Sequence, residues 1–519
     1  PGQTTVGSNE IFANVNSSRL FQNIGYSTNC TATEVITNLN LLDTASVTDM
    51  RWLFQNTGYN AMKKLDLSSL DTRNVTLMNA MFYATGYKAM DTLTFGTNFN
   101  TSKVTTMEYM FYETGYTAMQ NLNLGGNFNT AKVTNMQYMF RDCGHDALTA
   151  LDLGSNFDTS NVTDMKLMFE NCGYTAMTTL NLGSKFNTAK VTDMSNMFNS
   201  TGHEVMNGLN LGLLFDTSKV TNMEGMFGEC GRKSLESLNL GDNFSTANVT
   251  KMTRMFKNCG YTKMTTLTLG TKFNTAKVTE MANMFEGTGH TAMTSLSLGS
   301  SFNTSQVTDM QAMFKNCGYT AMTTLALGNS FNTAKVKYMQ EMFANTGYTA
   351  MTKLDLGDIF YTTAATNMTS MFNATGYTVM GELDLGPAFT KIAGTYSNVF
   401  TNTGKSGCRI YATEAIYQNS TTFKLNTSSG TQVGYSRGTI DPRYRVEWII
   451  EPNSVSVDKT NKKMTIGLRA RTNNNATSYY KSNITGSLGT GNITVYIDGE
   501  ATTSISKSLS GPTSVKNGT

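Results

Sequence analysis

The chain has 519 residues, 39% hydrophobic and only 15% charged, with a formal net charge of +3. That balance gives no electrostatic reason to expect nucleic acid or a strongly acidic partner. No apolar run is long enough to span a bilayer. No signal peptide opens the chain at Pro1, so the ends read as processed or cut. A single compact core is not expected at this length, but internal repetition would lift that limit, because a stack grows by adding units.

In chain order, residues 1–52 hold a degraded unit: Leu20-Phe21, then Gly25-Tyr26 and, after an insertion, Leu39-Asn40-Leu41. This reads as an N-terminal capping region. From Leu53-Phe54 onward a Met-Phe pair recurs with a period of 29 residues, from Met81 through Met168 and Met197 to Met371, and the series closes on Val399-Phe400. Leu-x-Leu-Gly keeps the same beat from Leu122 to Leu354.

Residues 157–185 show the logic of one unit. Asp158 or Thr159 is placed to cap a helix start. Val162, Met165, Met168 and Phe169 then fall at i, i+3, i+6 and i+7, one face of a helix. Gly173 suits a helix C-terminus. Leu180 and Leu182 alternate around Asn181, which predicts a strand with the leucines inward. Such a unit cannot bury its apolar face alone and must stack.

Residues 53–403 are therefore read as an α/β leucine-rich-repeat solenoid, with a parallel sheet on the concave face and short helices on the convex face. The curvature follows from strands at about 4.8 Å against helices at about 8–10 Å. After Phe400 the pattern decays and Cys408 takes a Met slot, so residues 404–442 read as a C-terminal cap. Residues 443–519 change grammar. Arg445–Ile450, Lys463–Leu468 and Ile493–Ile497 are β-rich, and Asp498-Gly499 is a hairpin signal. A small all-β immunoglobulin-like sandwich is expected, whose completeness stays open.

The run Phe157-Asp158-Thr159-Ser160-Asn161-Val162-Thr163-Asp164-Met165, leading to Met168-Phe169, resembles the BspA-like leucine-rich surface-protein repeats of bacteria and some protist parasites. The resemblance covers about residues 39–400, although the units are longer here by a Gly-Tyr-Thr-Ala-Met insert. It implies a secreted or cell-surface protein, with adhesion to host proteins or other cells. The layout of cap, solenoid and sandwich is similar to internalin-type adhesins, as an architectural analogy only.

Candidate sites divide by slot. Met interchanges with Leu148 and Leu235, as core packing requires. His145, His203 and His290 take a slot that elsewhere holds Tyr, without partners for catalysis or zinc. Cys143, Cys172, Cys230, Cys259 and Cys317 share a slot with Thr. Cys143/Cys172 and Cys230/Cys259 fall on adjacent rungs, so disulfides stay open beside the favoured free thiols. Lys103, Lys132, Lys190, Lys219, Lys277 and Lys335 form a row expected to be solvated.

Two surfaces are candidates for binding. Tyr59, Tyr87, Tyr116, Tyr174, Tyr261, Tyr319, Tyr348 and Tyr377 line one edge, as a ligand platform or as ring-on-ring packing. Asn123, Asp152, Asn181, Asn210 and Asn239 point outward from the strands, on the face solenoids often use. Breaks in regularity occur at Arg232-Lys233 and Ile359-Phe360-Tyr361. No phosphate loop, nucleophile elbow, metal-ligand spacing or dinucleotide fingerprint occurs. The expected protein is not an enzyme and carries no cofactor. It is extracellular or on the cell surface, with a protein or glycan ligand or with self-association, and without nucleic-acid partners or membrane insertion of this portion. A structural stalk or filament component is the alternative to an adhesin.

Overall fold

The computed structural model describes residues 11–33, 36–391, 394–405, 408–413 and 416, and the backbone of strands at 433–436, 446–458, 463–472, 491–497 and 500–507. The chain divides into two compact units, residues 1–411 with 419–434, and residues 412–418 with 435–519.

The first unit is a β-solenoid. Its strands are β1 (Ile11–Phe12), β2 (Leu42–Asp43), β3 (Lys64–Leu67), β4 (Thr92–Phe95), β5 (Asn121–Asn123), β6 (Ala150–Asp152), β7 (Thr179–Asn181), β8 (Ser237–Asn239), β9 (Thr266–Thr268), β10 (Ser295–Ser297), β11 (Thr324–Ala326), β12 (Lys353–Asp355), β13 (Glu382–Asp384) and β14 (Arg409–Ala412). Neighbours pair in parallel with leucine beside leucine, as in Leu151↔Leu180, Leu238↔Leu267 and Leu354↔Leu383. The expected alternation holds: Leu180 and Leu182 are buried and Asn181 is exposed. These strands form short groups, however, not one continuous sheet. At Gly208 the pairing shrinks to a single bridge with Ser237.

The unbroken ladder lies elsewhere, in the Val-Thr-x-Met run. Parallel bridges pass from Asn16 to Asp49, Leu77, Thr106 and on through Asp164 and Asp193 to Thr395, linking fourteen rungs. This run was expected to begin a helix, and that expectation is corrected. Leu39–Leu41 forms a 3-10 turn, but the repeat carries no α-helix among its described residues. Asp158 Oδ1 accepts the Ser160 amide at 2.9 Å, a local Asx turn and not a helix cap.

Beyond it, alternate amides take two different partners. The amides of Met136, Tyr138, Phe140 and Asp142 donate to Asp164, Lys166, Met168 and Glu170 of the next rung, while Met139, Arg141 and Cys143 donate three residues back within their own rung. The third residue of every second turn has positive φ, 58° at Tyr138 and 55° at Asp142, as a type II turn demands. Turns closed at i→i−3 bring i and i+3 to one side, so they imitate the helical spacing. Val-Thr is also a poor helix start and a good strand.

Ring spacing settles the point. Phe140–Phe169 and Phe169–Phe198 stack at 5.6 and 5.5 Å. Packed helices would hold them about 8–10 Å apart. Both sides of the rung therefore keep strand spacing, and the splay expected to make one face concave and the other convex has no source.

The core is a set of columns. Val162, Met165, Met168 and Phe169 are fully buried, and Phe157 stacks on Phe186 at 6.4 Å. Buried threonines satisfy carbonyls between rungs. The Thr159 hydroxyl donates to Asn187 and the Thr201 hydroxyl to Phe169, both at 2.7 Å. Each such bond contributes on the order of 1 kcal/mol. The degraded N-terminal unit is a true rung: Phe21 stacks on Phe54 at 5.3 Å. Its outer side leaves Ile11, Phe12, Val15, Leu20 and Ile24 exposed.

In the second unit two antiparallel hairpins are described: β16 (Val446–Asp458) with β17 (Lys463–Thr472), and β18 (Gly491–Ile497) with β19 (Glu500–Lys507). Strand β15 (Val433–Ser436) precedes both hairpins in the chain and stands next to β14 in the sheet order. Ile497 pairs with Glu500, and the expected Asp498-Gly499 turn signal itself lies outside the described residues. The remaining residues of the expected sandwich, and most of the expected cap at 404–442, lie outside the described residues.

Two glycines test the turn geometry. Gly173 has φ +52° and a Cβ there would stand 2.4 Å from Met177 Cβ, whereas at Gly154, φ +76°, a Cβ meets nothing within 4 Å. Gly154→Ala should cost only the left-handed penalty, roughly 1–2 kcal/mol. Gly173→Ala should cost more, because backbone strain and overlap add. Equal shifts in chemical denaturation of the two variants would refute this geometry.

Candidate recognition surface

The tyrosine edge is a ladder of rings, one per rung. Tyr59–Tyr87 and Tyr87–Tyr116 both stack at 4.6 Å. The histidines continue it: Tyr116–His145 at 4.4 Å, His145–Tyr174 at 4.7 Å and Tyr174–His203 at 4.2 Å. After a gap the ladder resumes through Tyr261–His290, Tyr319–Tyr348 and Tyr348–Tyr377. The ring faces are thus occupied by one another, which explains why His substitutes for Tyr there. What the column turns outward is ring edges and hydroxyls.

The ladder breaks at Arg232. Its guanidinium lies 4.8 Å from the Tyr261 ring centre and 3.1 Å from the Glu229 carboxylate. His203 Nδ1 stands 2.9 Å from Glu204, and Lys233 also pairs with Glu204. The other sequence break is continuous in space, because Phe360 stacks between Phe331 and Phe389 at 6.2 Å on each side.

The strand row has a structural task. The side-chain oxygens of Asn123, Asp152, Asn181, Asn210 and Asn239 accept the amides of Gly125, Gly154, Gly183, Gly212 and Gly241 at 2.9–3.1 Å. Each closes an Asx turn at the strand end. The side chains stay exposed, and Asn181 also donates its Nδ2 to Asp152 Oδ1 at 3.1 Å. Lys103, Lys190 and Lys277 are exposed and donate to Asn74, Asn161 and Asn248 of the preceding rung.

All five slot-sharing cysteines are buried free thiols. Burial pushes Cys230 and Cys317 up to about 12, far from the thiolate that reacts or binds metal. Threonine at the same slot donates to a phenylalanine carbonyl, as Thr114 does to Phe82 at 2.7 Å. Among the described residues no three His, Cys, Asp or Glu side chains converge as a metal site.

A further cluster escaped the sequence reading. Tyr83–Tyr112 stack at 4.6 Å and Tyr109–Tyr138 at 4.4 Å, with Tyr109–Tyr112 at 5.7 Å joining the pairs. Arg141 lies 5.5 Å from the Tyr112 ring and 5.8 Å from the Tyr138 ring, and pairs with Glu170 at 2.7 Å and Asp142 at 3.3 Å. Glu113 sits among these rings. Burial raises its pKa first, with Asp142 adding to the rise, while Arg141 and the Tyr112 hydroxyl oppose it. The available signal was the step of 29 residues within each tyrosine pair. It was hidden while the segment was read as the polar side of a helix.

Ladders in register on every side define a parallel β-solenoid repeat protein. Overlapping stretches at 25–147, 87–199, 146–267, 175–297 and 261–380 match the family described as Mycoplasma protein of unknown function, DUF285, and the chain belongs to that family. No curated protein and no solved structure matches the chain.

Two outcomes follow for the ring ladder. Tyr174→Ala removes two stacking partners and should cost about 1–3 kcal/mol. An unchanged thermal melt would show the rings to be mere display. The second concerns pH. His203 and His290 are held below the ordinary imidazole value of 6.5, first by burial, with Arg232 also lowering both and Glu204 opposing at His203. A depressed histidine leaves the fold at full stability above the unfolded value and weakens it as pH falls below that value. Half-buried carboxylates with raised pKa, such as Glu113 and Glu170, act in the opposite sense, so a difference is the proper readout. Between about pH 7 and pH 5.5 the wild type should lose more Tm than a His203→Tyr/His290→Tyr variant. Parallel losses would rule the histidines out.

Proposed function

We propose that the protein is an extracellular, cell-surface recognition or adhesion solenoid and not an enzyme, binding a protein or glycan through outward side chains of its rungs. The observation that carries this reading is the division of labour within each rung. Inward columns barely change: Val, Met, Met-Phe and Leu recur and are buried. The left-handed turn column changes at nearly every rung, running Trp52, Ala80, Tyr109, Tyr138, Leu167, Asn196; Trp52, the two tyrosines and Asn196 reach the surface half-buried, while Ala80 and Leu167 are buried. A fixed scaffold with a varied display is how solenoids build extended binding surfaces. The BspA-like character of the repeat run supports a place outside the cell.

A second reading, a non-catalytic stalk or self-assembling surface element, is favoured by one uniform feature. Ten successive outward threonines, Thr48 to Thr308, each bond a carbonyl of the preceding rung.

The test sets the full chain against immobilised host matrix proteins and glycans, with single-particle imaging in parallel. Saturable binding by single particles is the expected result. Fibres together with a blank panel would replace the recognition reading with the stalk.

A further inference from the structure

Glu113 shares its slot with Glu229, four rungs away, and the two have different surroundings. At Glu229 the chain supplies its own cation: Arg232 takes a ring position in the tyrosine ladder, pairs with the carboxylate at 3.1 Å and stacks on Tyr261 at 4.8 Å. The slot equivalent to Arg232 on the Glu113 rung is Tyr116, whose neutral ring stacks on Tyr87 and His145. Among the described residues Glu113 forms no ion pair, and its charged neighbour Arg141 is committed to Glu170 and Asp142. Two walls of rings flank this rung: Tyr83–Tyr112 on one side, and Tyr59–Tyr87–Tyr116 on the other. Glu113 is close enough to raise the phenol pKa of Tyr59, Tyr83, Tyr87, Tyr112 and Tyr116.

From this geometry we infer that Glu113 and its tyrosines form a docking site for an arginine side chain of a partner protein. The inference rests on the recognition reading above and names the chemistry of one site within it. A guanidinium brings five donors in a plane and no acceptor. The site offers the complement: the carboxylate of Glu113, which has no ion-pair partner, and phenol oxygens along both walls, while Asp142 is held by Arg141 and Asn171. The ring faces of each wall are largely taken by stacking at 4.6 Å. A cation that must be boxed in by open faces, such as a quaternary ammonium, is poorly served here, whereas one that donates hydrogen bonds to edges and oxygens fits. The Arg232–Glu229–Tyr261 group is the same recognition closed within the chain. The local charge favours a cationic visitor too, because Glu113, Asp142 and Glu170 outnumber Arg141.

The probe is a short acetylated Gly-Arg repeat peptide, with its citrulline counterpart as a neutral isostere, titrated into the full chain by calorimetry at low salt. The arginine peptide should bind and the citrulline peptide should bind at least about tenfold more weakly. Glu113→Gln should lose about tenfold in affinity with an unchanged melt, whereas Glu280→Gln, far along the solenoid, should lose none. Equal binding by Glu113→Gln, or equal loss in Glu280→Gln, would overturn the site. Self-association that Glu113→Gln abolishes, without peptide binding, would assign the occupant to a second copy and overturn it as well. A ligand found on the matrix panel whose binding ignores Glu113→Gln would defeat this site while leaving the recognition reading intact.

Discussion

Alternate amides in each turn segment donate to carbonyls of the next rung, and the rest of the solenoid depends on this link. Once Met136, Tyr138, Phe140 and Asp142 reach Asp164, Lys166, Met168 and Glu170, the backbones of adjacent turn segments are held at strand spacing. Side chains at one slot must then stack on their own kind. Phenylalanine lies on phenylalanine at 5.6 Å and tyrosine on histidine at 4.4 Å. Residues that cannot tolerate such self-contact are excluded, and flat rings, methionines and threonines are retained. Alternate amides point along the stack because every second turn is of the type that places a residue at positive φ, four residues apart at Tyr138 and Asp142, and the segment accepts this at Leu167 and Arg254 as well as at Asn and Gly. That conformation costs each non-glycine residue about 1–2 kcal/mol, offset by inter-rung bonding and burial.

Much of this was legible in the amino-acid order. The period fixed the rungs, and Leu180 and Leu182 announced which side of the strand faces inward. Ring-on-ring packing of the tyrosine edge was one of two readings left open, and the stacked Tyr and His rings select it. The helix was not legible as an error, because a chain of three-residue turns and a helix both place Val162, Met165, Met168 and Phe169 on one side. The β-branched Val162-Thr163 pair favours extended backbone, a signal that the helix expectation passed over, and the continuous bridge runs through the neighbouring Asp164 and Asp193. Misreading that segment also concealed the display site. On a helix Tyr109 and Tyr112 would be scattered surface residues; on a stack of turns they meet Tyr138 and Tyr83 of neighbouring rungs.

The chemistry of the interior is correspondingly quiet. Cysteines that alternate with threonine lie fully buried with thiols pushed far up, and His145 and His290 are packed between rings while His203 stacks on Tyr174 at the break. Reactive residue types are used as volume. Variation falls mainly in the turn columns and on the outward strand row, which runs from Asn123 and Asp152 to Ser297 and Ala326. Within those columns aromatic residues gather at the rungs of Tyr83 to Tyr138, while charged residues continue along the stack, as at Glu229, Arg254, Lys257, Glu286, Lys315 and Glu341.

Because each rung bonds only to the ones before and after it, and all present the same joining surfaces, the gene for such a protein is elastic. Unequal crossing-over between near-identical coding units, in steps of 29 residues, removes or duplicates whole rungs and leaves matching faces at the new junction. Selection is then free to lengthen, shorten or shuffle the displayed columns without having to rediscover a foldable core.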